Sequence, residues 1–384
     1  MRIRRAATRR AGSTGDVGTA GGDATGAAPA PLKVVVASMW PSRPTPEFGI
    51  FVKRHVGSLR AAGVEVIVVP LTETRSGRLR TATKYLSLML RITWAARRAE
   101  PDLLVAHYLN PTGDVTRMAS SLSGVPYVVI AHGTDVRNAV ARPDGPYAAR
   151  TRAIVQGAAG VVAVSEDLAT DLLGLVPGVN VDVCNMGVDT RTFLPRAEAT
   201  ELPAAGETLR LLSVGSLTPD KNHAALIRAV ALTSDINLVI VGEGATRPAL
   251  ELLIAEHELS NRVALAGRVP PAELASWYGR FHGACLPSLR EGYGLAALEA
   301  LACGCPVLVA SGAPVSKLVI DGVTGVIVDA GDVEAMAAAL ERMRGISHLT
   351  ASQVADVTSG RSCDDQARAM AGLLRVALLR AAAR

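Results

Sequence analysis

The feature that most constrains this chain is a rhythm. A short apolar run, a turn and a longer stretch of helical spacing follow one another six times, pause, and resume for six more. The runs at 32–37, 64–69, 103–106, 127–131, 160–164 and 181–184 form the first series. Those at 209–214, 236–241, 262–266, 284–286, 307–310 and 325–328 form the second. Strand and helix in alternation give parallel sheets covered on both faces. Hydrophobic residues make up 49% of the chain and aromatics only 3%, so the core is built of Val, Leu, Ile and Ala, as buried parallel strands require. The stretch 197–208 has neither period and reads as a linker. The expected fold class is α/β, with two doubly wound Rossmann-like domains facing a central cleft, at 32–200 and 207–362. Ligands collect there, at the carboxyl ends of the strands. Residues 363–384 read as a closing helix, whose Leu373, Leu374, Ala377 and Leu378 can pack on either domain.

The net charge of +5 matches the five arginines Arg2, Arg4, Arg5, Arg9 and Arg10, which have no acid among them. The rest of the chain is neutral, so it has no charge excess to set against phosphates, and nucleic acid is not an expected partner. Residues 1–31 read as a disordered basic leader, and no apolar h-region follows Arg9-Arg10 to make an export signal. Cys184, Cys285, Cys303, Cys305 and Cys363 lack zinc-ligand spacing and read as reduced, mostly buried small hydrophobes. The uncharged stretch 300–316 is broken by Gly304, Pro306 and Pro314, which is wrong for a spanning helix of about 20 apolar residues. The expected location is cytoplasmic, with peripheral attachment to the inner face of the membrane as a second option.

The densest chemistry lies at 287–306, where a strand gives way to a turn carrying Glu291, Gly292, Tyr293 and Gly294, and a helix begins near Gly294 and Leu295. Unpaired amides at a helix start, at the positive end of its dipole, can hold a diphosphate without a cation. Glu299, one to two turns in, can accept hydrogen bonds from a ribose diol, while Glu291 faces whatever is attached beyond the phosphates. The bland alternative makes both ordinary surface acids near a helix N-terminus. As a whole the segment resembles the E-x7-E motif of the retaining GT-B glycosyltransferases of family 4, the glycosyl transferases group 1. The resemblance extends over nearly the whole chain after the leader. It implies that Glu291 contacts the donor sugar and Glu299 the ribose, and that the second domain binds the nucleotide-sugar while the first is the acceptor side.

Further segments carry the same resemblance. In 214–222, Lys221 follows the Gly215 turn, where the family places a lysine on the departing diphosphate; Ser216 stands where many members have an arginine. His132-Gly133-Thr134-Asp135 follows an apolar strand and is similar to the element whose histidine reaches the transferred sugar. Asp135 then orients the loop or meets the acceptor. Gly49 matches a loop that approaches acceptor and phosphate in relatives; otherwise it is a turn glycine. Gly242-Glu243-Gly244 is a poor dinucleotide fingerprint, since Arg247 holds the third glycine position. In relatives Gly242, and later Arg268 and Val269, line the nucleoside pocket.

The resemblance implies a transferase that moves a sugar from a UDP- or GDP-sugar to a hydroxyl acceptor such as a glycan, a lipid-linked saccharide or a natural product, with retention. The nucleotide-sugar is a co-substrate, no cofactor is expected, and no Asp-x-Asp motif ends a strand to clamp a metal. His132, Lys221 and Glu291 are the expected catalytic residues. A catalytically silent GT-B binding or scaffold subunit is the alternative, kept open by Ser216. Basic and apolar residues interleave at 75–98, including Lys84, Arg91, Arg98, Leu86, Leu90 and Trp94, a pattern that suits either an anionic membrane or a core-packed helix with a solvated basic face.

Overall fold

The computed structural model describes residues 31–41, 49–72, 78–195, 203 and 207–384, with the side chains of 78–80 outside the description. The expected leader, apart from Pro31, and most of the expected linker at 197–208 lie outside the described residues.

Contacts divide the chain into two units: the described residues up to Cys184 together with Ala367–Arg384, and Asn185–Gln366. The second unit thus takes in residues 185–195, which the sequence series had grouped with the first. In the first unit β1 (Lys33–Met39), β2 (Glu65–Leu71), β3 (Leu103–His107), β4 (Tyr127–Ala131), β5 (Gly160–Ala163) and β6 (Val181–Val183) form one sheet in the order β2-β1-β3-β4-β5-β6. Every pairing is parallel. Val34, Val35, Val36 and Ala37 of β1 are all buried, as a strand covered on both faces requires. The helices are α1 (Ile50–Ala61), α2 (Arg78–Ala99), α3 (Asp114–Ser123), α4 (Thr134–Val140), α5 (Pro146–Gly157) and α6 (Glu166–Leu175).

In the second unit β7 (Leu209–Val214), β8 (Ile236–Val241), β9 (Val263–Gly267), β10 (Gly283–Leu286), β11 (Val307–Ala310) and β12 (Gly325–Val328) take the order β12-β11-β10-β7-β8-β9, again parallel throughout. Its helices are α7 (His223–Ala231), α8 (Arg247–Glu256), α9 (Pro271–Tyr278), α10 (Leu295–Ala302), α11 (Val333–Arg342) and α12 (Ala351–Thr358). The closing helix, α13 (Cys363–Ala382), starts in the second unit and belongs to the first from Ala367 onward. Met370, Leu374, Ala377 and Ala381 make its buried stripe, and a Cβ on Gly160 of β5 would sit 2.8 Å from that of Ala377. Arg380 pairs with Asp182 at 2.8 Å.

Both strand orders contain a point where the chain changes direction across the sheet. In the first unit β1 leads outward to β2 and its neighbour β3 leads the other way to β4; in the second, β7 leads to β8 and its neighbour β10 to β11. Loops diverge from such a strand pair and leave a crevice at the carboxyl ends.

Candidate active site

At the β7/β10 crevice the structure joins two segments that the sequence separates by 70 residues. Lys221 Nζ lies 2.5 Å from Glu291 Oε2, with 26% and 16% of the two side chains exposed. The neighbouring backbone is tied as well: Leu289 N donates to the Asp220 carbonyl at 2.9 Å, and Asn222 Nδ2 to the Ala330 carbonyl at 2.8 Å. The stem of Lys221 lies along Gly215, where a Cβ would be 3.6 Å from its Cδ. Ser216 is exposed beside it.

Glu291 is followed by the start of α10. Gly294 sits at φ 97°, where a Cβ would meet the Val315 side chain at 2.6 Å, so any other residue is excluded twice over. Gly294 also provides no side-chain cap, and its carbonyl accepts from the Ala297 and Leu298 amides at 3.0 and 3.2 Å. Leu295 and Gly292 are half-buried there, whereas the Tyr293 ring is buried, which leaves its backbone as the part able to meet a ligand. Glu299, in the second turn of α10, is only 7% exposed. The alternative of an ordinary surface acid does not hold for it.

The β8 turn is set by packing. Gly242 has φ 149° and would place a Cβ 1.9 Å from the Gly215 carbonyl oxygen, while Gly242 N donates to the Gly267 carbonyl at 2.8 Å. Its missing side chain is required by the neighbouring β7 loop whatever binds there. Arg268 is exposed and Val269 half-buried just after β9. Arg247 is fully engaged by Glu243, Glu251 and the Leu265 carbonyl.

In the first unit, His132 follows β4 and lies against aromatic rings. Its ring centroid is 4.7 Å from Tyr108, 5.0 Å from Phe51 and 5.1 Å from His107. Nε2 of His132 is 2.9 Å from Nδ1 of His107, and His55 packs edge-on against His107 at 5.2 Å. Burial lowers the pKa of all three imidazoles, to about 4 for His55, well below the ordinary value for His107 and to about 3 for His132. They are neutral at pH 7. Asp135 is 3% exposed and accepts four backbone N–H groups, from Leu109 on Oδ2 and from His132, Gly133 and Val136 on Oδ1. Burial pushes its carboxyl pKa up while those amides pull it back. Its carboxylate orients the loop. Gly49 begins α1, and a Cβ there would lie 2.1 Å from the Met39 carbonyl oxygen.

A cavity of about 460 Å³ opens at this sheet edge, lined among others by Lys84, Tyr108, Asn110, Asp135, Asn138 and Tyr147. Tyr108 is held at φ 70° and ψ 140°, a conformation that costs a bulky residue about 1–3 kcal/mol and marks strain beside the cavity. His107, His55, Tyr108 and Phe51 were not singled out from the sequence. His107 and Tyr108 follow the apolar run at 103–106, which their polar and aromatic character ended, while Phe51 and His55 lie on α1.

Two parallel-sheet units of Rossmann type define the GT-B class, and solved structures of that class superpose on the chain. Sucrose-phosphate synthase from Thermosynechococcus elongatus matches with TM-score 0.77 at 21% identity, covering 90% of this chain and 98% of its own. HepE from Anabaena, in complex with UDP and glucose, matches with TM-score 0.65 at 17% identity, covering 90% and 97%. In sequence, residues 6–187 match the glycosyl transferase 4-like domain and residues 196–344 the family described as glycosyl transferases group 1. The D-inositol 3-phosphate glycosyltransferase of Streptosporangium roseum is 32% identical over 333 residues, 76% of this chain and 75% of that protein. That of Acidothermus cellulolyticus is 33% identical over 270 residues, 63% and 59% of the two chains. The chain belongs to the group 1 glycosyltransferases.

Proposed function

We propose that this glycosyltransferase uses a nucleoside-diphosphate sugar, a UDP- or GDP-sugar, and transfers the sugar with retention and without a metal ion to a hydroxyl acceptor. The observation that carries the reading is the Lys221–Glu291 pair at the β7/β10 crevice, beside the uncapped start of α10 and the buried Glu299. Negative charge grows on the departing diphosphate, so Lys221 and the first amides of α10 stabilise the transition state more than the ground state. Glu299 accepts from the ribose hydroxyls. Glu291, released from Lys221 by the diphosphate, accepts from the sugar.

Retention by double displacement needs a free carboxylate at the anomeric carbon. Asp135, which lines the first-unit cavity, has both oxygens occupied by backbone amides. This favours attack by the acceptor on the face the diphosphate leaves, with the leaving phosphate taking the acceptor proton. The named activity of the relatives makes a phosphorylated inositol the first acceptor to test. The cavity holding Lys84 with amide, phenol and carboxylate groups suits a polyol bearing one anionic group.

The decisive experiment pairs two variants. His132→Ala lowers turnover and leaves affinity for the bare nucleoside diphosphate nearly untouched; Lys221→Ala weakens the diphosphate and also slows transfer. A His132→Ala enzyme with full transfer activity removes the histidine from the chemistry. A silent scaffold would show neither donor hydrolysis nor transfer with any donor.

Peripheral membrane attachment belongs to the same proposal. No described helix is long and apolar enough to cross a membrane. Leu86, Leu90 and Trp94 form an i, i+4, i+8 stripe on α2 that is 54%, 56% and 64% exposed, with Arg91 and Arg98 beside it. The protein is expected to float with anionic vesicles and not with zwitterionic ones, and Leu90→Glu/Trp94→Glu is expected to abolish flotation. Equal binding to both vesicle types would leave the stripe without this role.

A further inference from the structure

The column His55, His107, His132 contains a directional clue. The inference rests on the placement of His132 at the transferred sugar given above. We propose that His107 is a positioning residue: its Nδ1–H donates to Nε2 of His132, which fixes the His132 proton on Nδ1 and makes that ring a neutral hydrogen-bond donor toward the sugar, not a base.

The contact itself is an imidazole–imidazole hydrogen bond. The two nitrogens are 2.9 Å apart and the ring planes differ by 21°, the near-coplanar arrangement that an N–H···N bond between two rings needs. One of the two nitrogens must carry the proton, and the far side of His107 tells which. Its Nε2 is buried without a hydrogen-bond partner, as are His55 Nε2 and Ser38 Oγ. Ser38 lies on β1 one position beyond the Ala37–Ala106 pairing, beside His107, and His55 packs edge-on against the His107 ring. Neither makes a hydrogen bond with His107 Nε2, so neither serves as its acceptor.

Were His132 the donor, His107 would carry its own proton on Nε2 and bury an N–H with no acceptor. Orphaned buried donors are rarer than under-used acceptors. With His107 as donor, only a lone pair is left unmatched. The tautomer of an imidazole is set by the bond its other nitrogen makes, so His132 must then hold its proton on Nδ1. That nitrogen has no partner among the described residues, and the ring retains partial exposure. The low pKa values keep every ring in the column neutral, which the arrangement requires. A wrong tautomer at an otherwise intact site removes the directed hydrogen bond, so the effect falls on turnover and not on ground-state nucleotide binding.

The test is two-bond 1H–15N correlation on the full-length protein labelled at histidine, with the His132 signals assigned by their loss in His132→Ala. The expected wild-type spectrum shows a neutral His132 with its proton on Nδ1. His107→Phe is expected to shift His132 toward the Nε2–H form and to lower kcat by about ten- to a hundredfold, with the Kd of the bare nucleoside diphosphate changed less than about twofold. His107→Asn, whose side-chain amide can donate from near the position of Nδ1, is expected to restore the wild-type tautomer and most of kcat. A proton on Nε2 of His132 in the wild type overturns the proposal, as does a His107→Phe protein with unchanged tautomer and kcat. If the tautomer follows His107 but His132→Ala keeps full turnover, the placement of His132 at the sugar fails while the hydrogen bond stands.

Discussion

Replacing Glu291 by Gln is expected to tighten binding of the bare nucleoside diphosphate while slowing transfer by roughly ten- to a hundredfold. A diphosphate that draws Lys221 toward itself competes with its 2.5 Å contact to Glu291, and affinity for the bare nucleotide is then lowered by the net strength of that pair. Exposed ion pairs are worth about 0.2–1 kcal/mol, and deeper pairs gain more attraction but lose hydration, so a pair with 26% and 16% side-chain exposure stands at about 1 kcal/mol. At about 1.4 kcal/mol per factor of ten, this corresponds to roughly fivefold tighter binding. Gln keeps the length of the side chain but lacks the charge with which Glu291 accepts from the sugar. A hydrogen bond to a charged group is worth about 1.5–3 kcal/mol, so kcat/KM for the sugar donor should fall by roughly ten- to a hundredfold or more. Titration calorimetry with UDP and GDP gives the first number and single-turnover transfer the second. Weaker diphosphate binding in Glu291→Gln would refute the reasoning, because it would mean that Glu291 does not restrain the cation the diphosphate uses.

Three further outcomes follow from the same site and its surroundings. Glu299→Ala should weaken nucleotide-sugar binding by about 1.5–3 kcal/mol in titration, and unchanged affinity would remove Glu299 from the ribose. Transfer should persist in EDTA, because phosphate charge is met by Lys221 and the α10 amides; turnover lost in chelator and regained with magnesium or manganese would show the site misassigned. Folding stability should be full above about pH 6.5 and decline toward pH 5. Below the unfolded value near 6.5 the unfolded chain binds protons that the buried His55, held down to about 4, and His132, held down to about 3, refuse. Urea melts at pH 7.5 and 5.5 measure this, with a slope of about 1.4 kcal/mol per pH unit per histidine as the ceiling, and a flat profile contradicts it.

Much of the scaffold was legible because parallel strands buried on both faces leave unbroken apolar runs. The runs at 127–131, 209–214, 236–241, 307–310 and 325–328 coincide with β4, β7, β8, β11 and β12. The strand that mattered most for the site was cut one residue short: His107 closes β3, yet a polar residue at the end of an apolar run carries no pattern of its own. Nor does pattern show that Lys221 and Glu291 touch, since that follows from β7 and β10 being sheet neighbours, a matter of strand order. Tyr293 illustrates the reverse limit. It stands inside the most informative motif, and its ring turns out to be core.

The return of the chain at Ala367 has a consequence for biogenesis. The second unit is one continuous piece of polypeptide, whereas the first is written in two, with Asn185–Gln366 inserted between them. During synthesis from the N-terminus, Gly160 of β5 therefore waits for Ala377 of α13, and Asp182 of β6 for Arg380, until the whole second unit has left the ribosome. A protein cut after residue 184 would lack that cover and expose apolar surface around Gly160, while a cut at both 184 and 366 would release the second unit with its sheet complete. The inserted unit can mature first; the interrupted one finishes only with Ala367–Arg384.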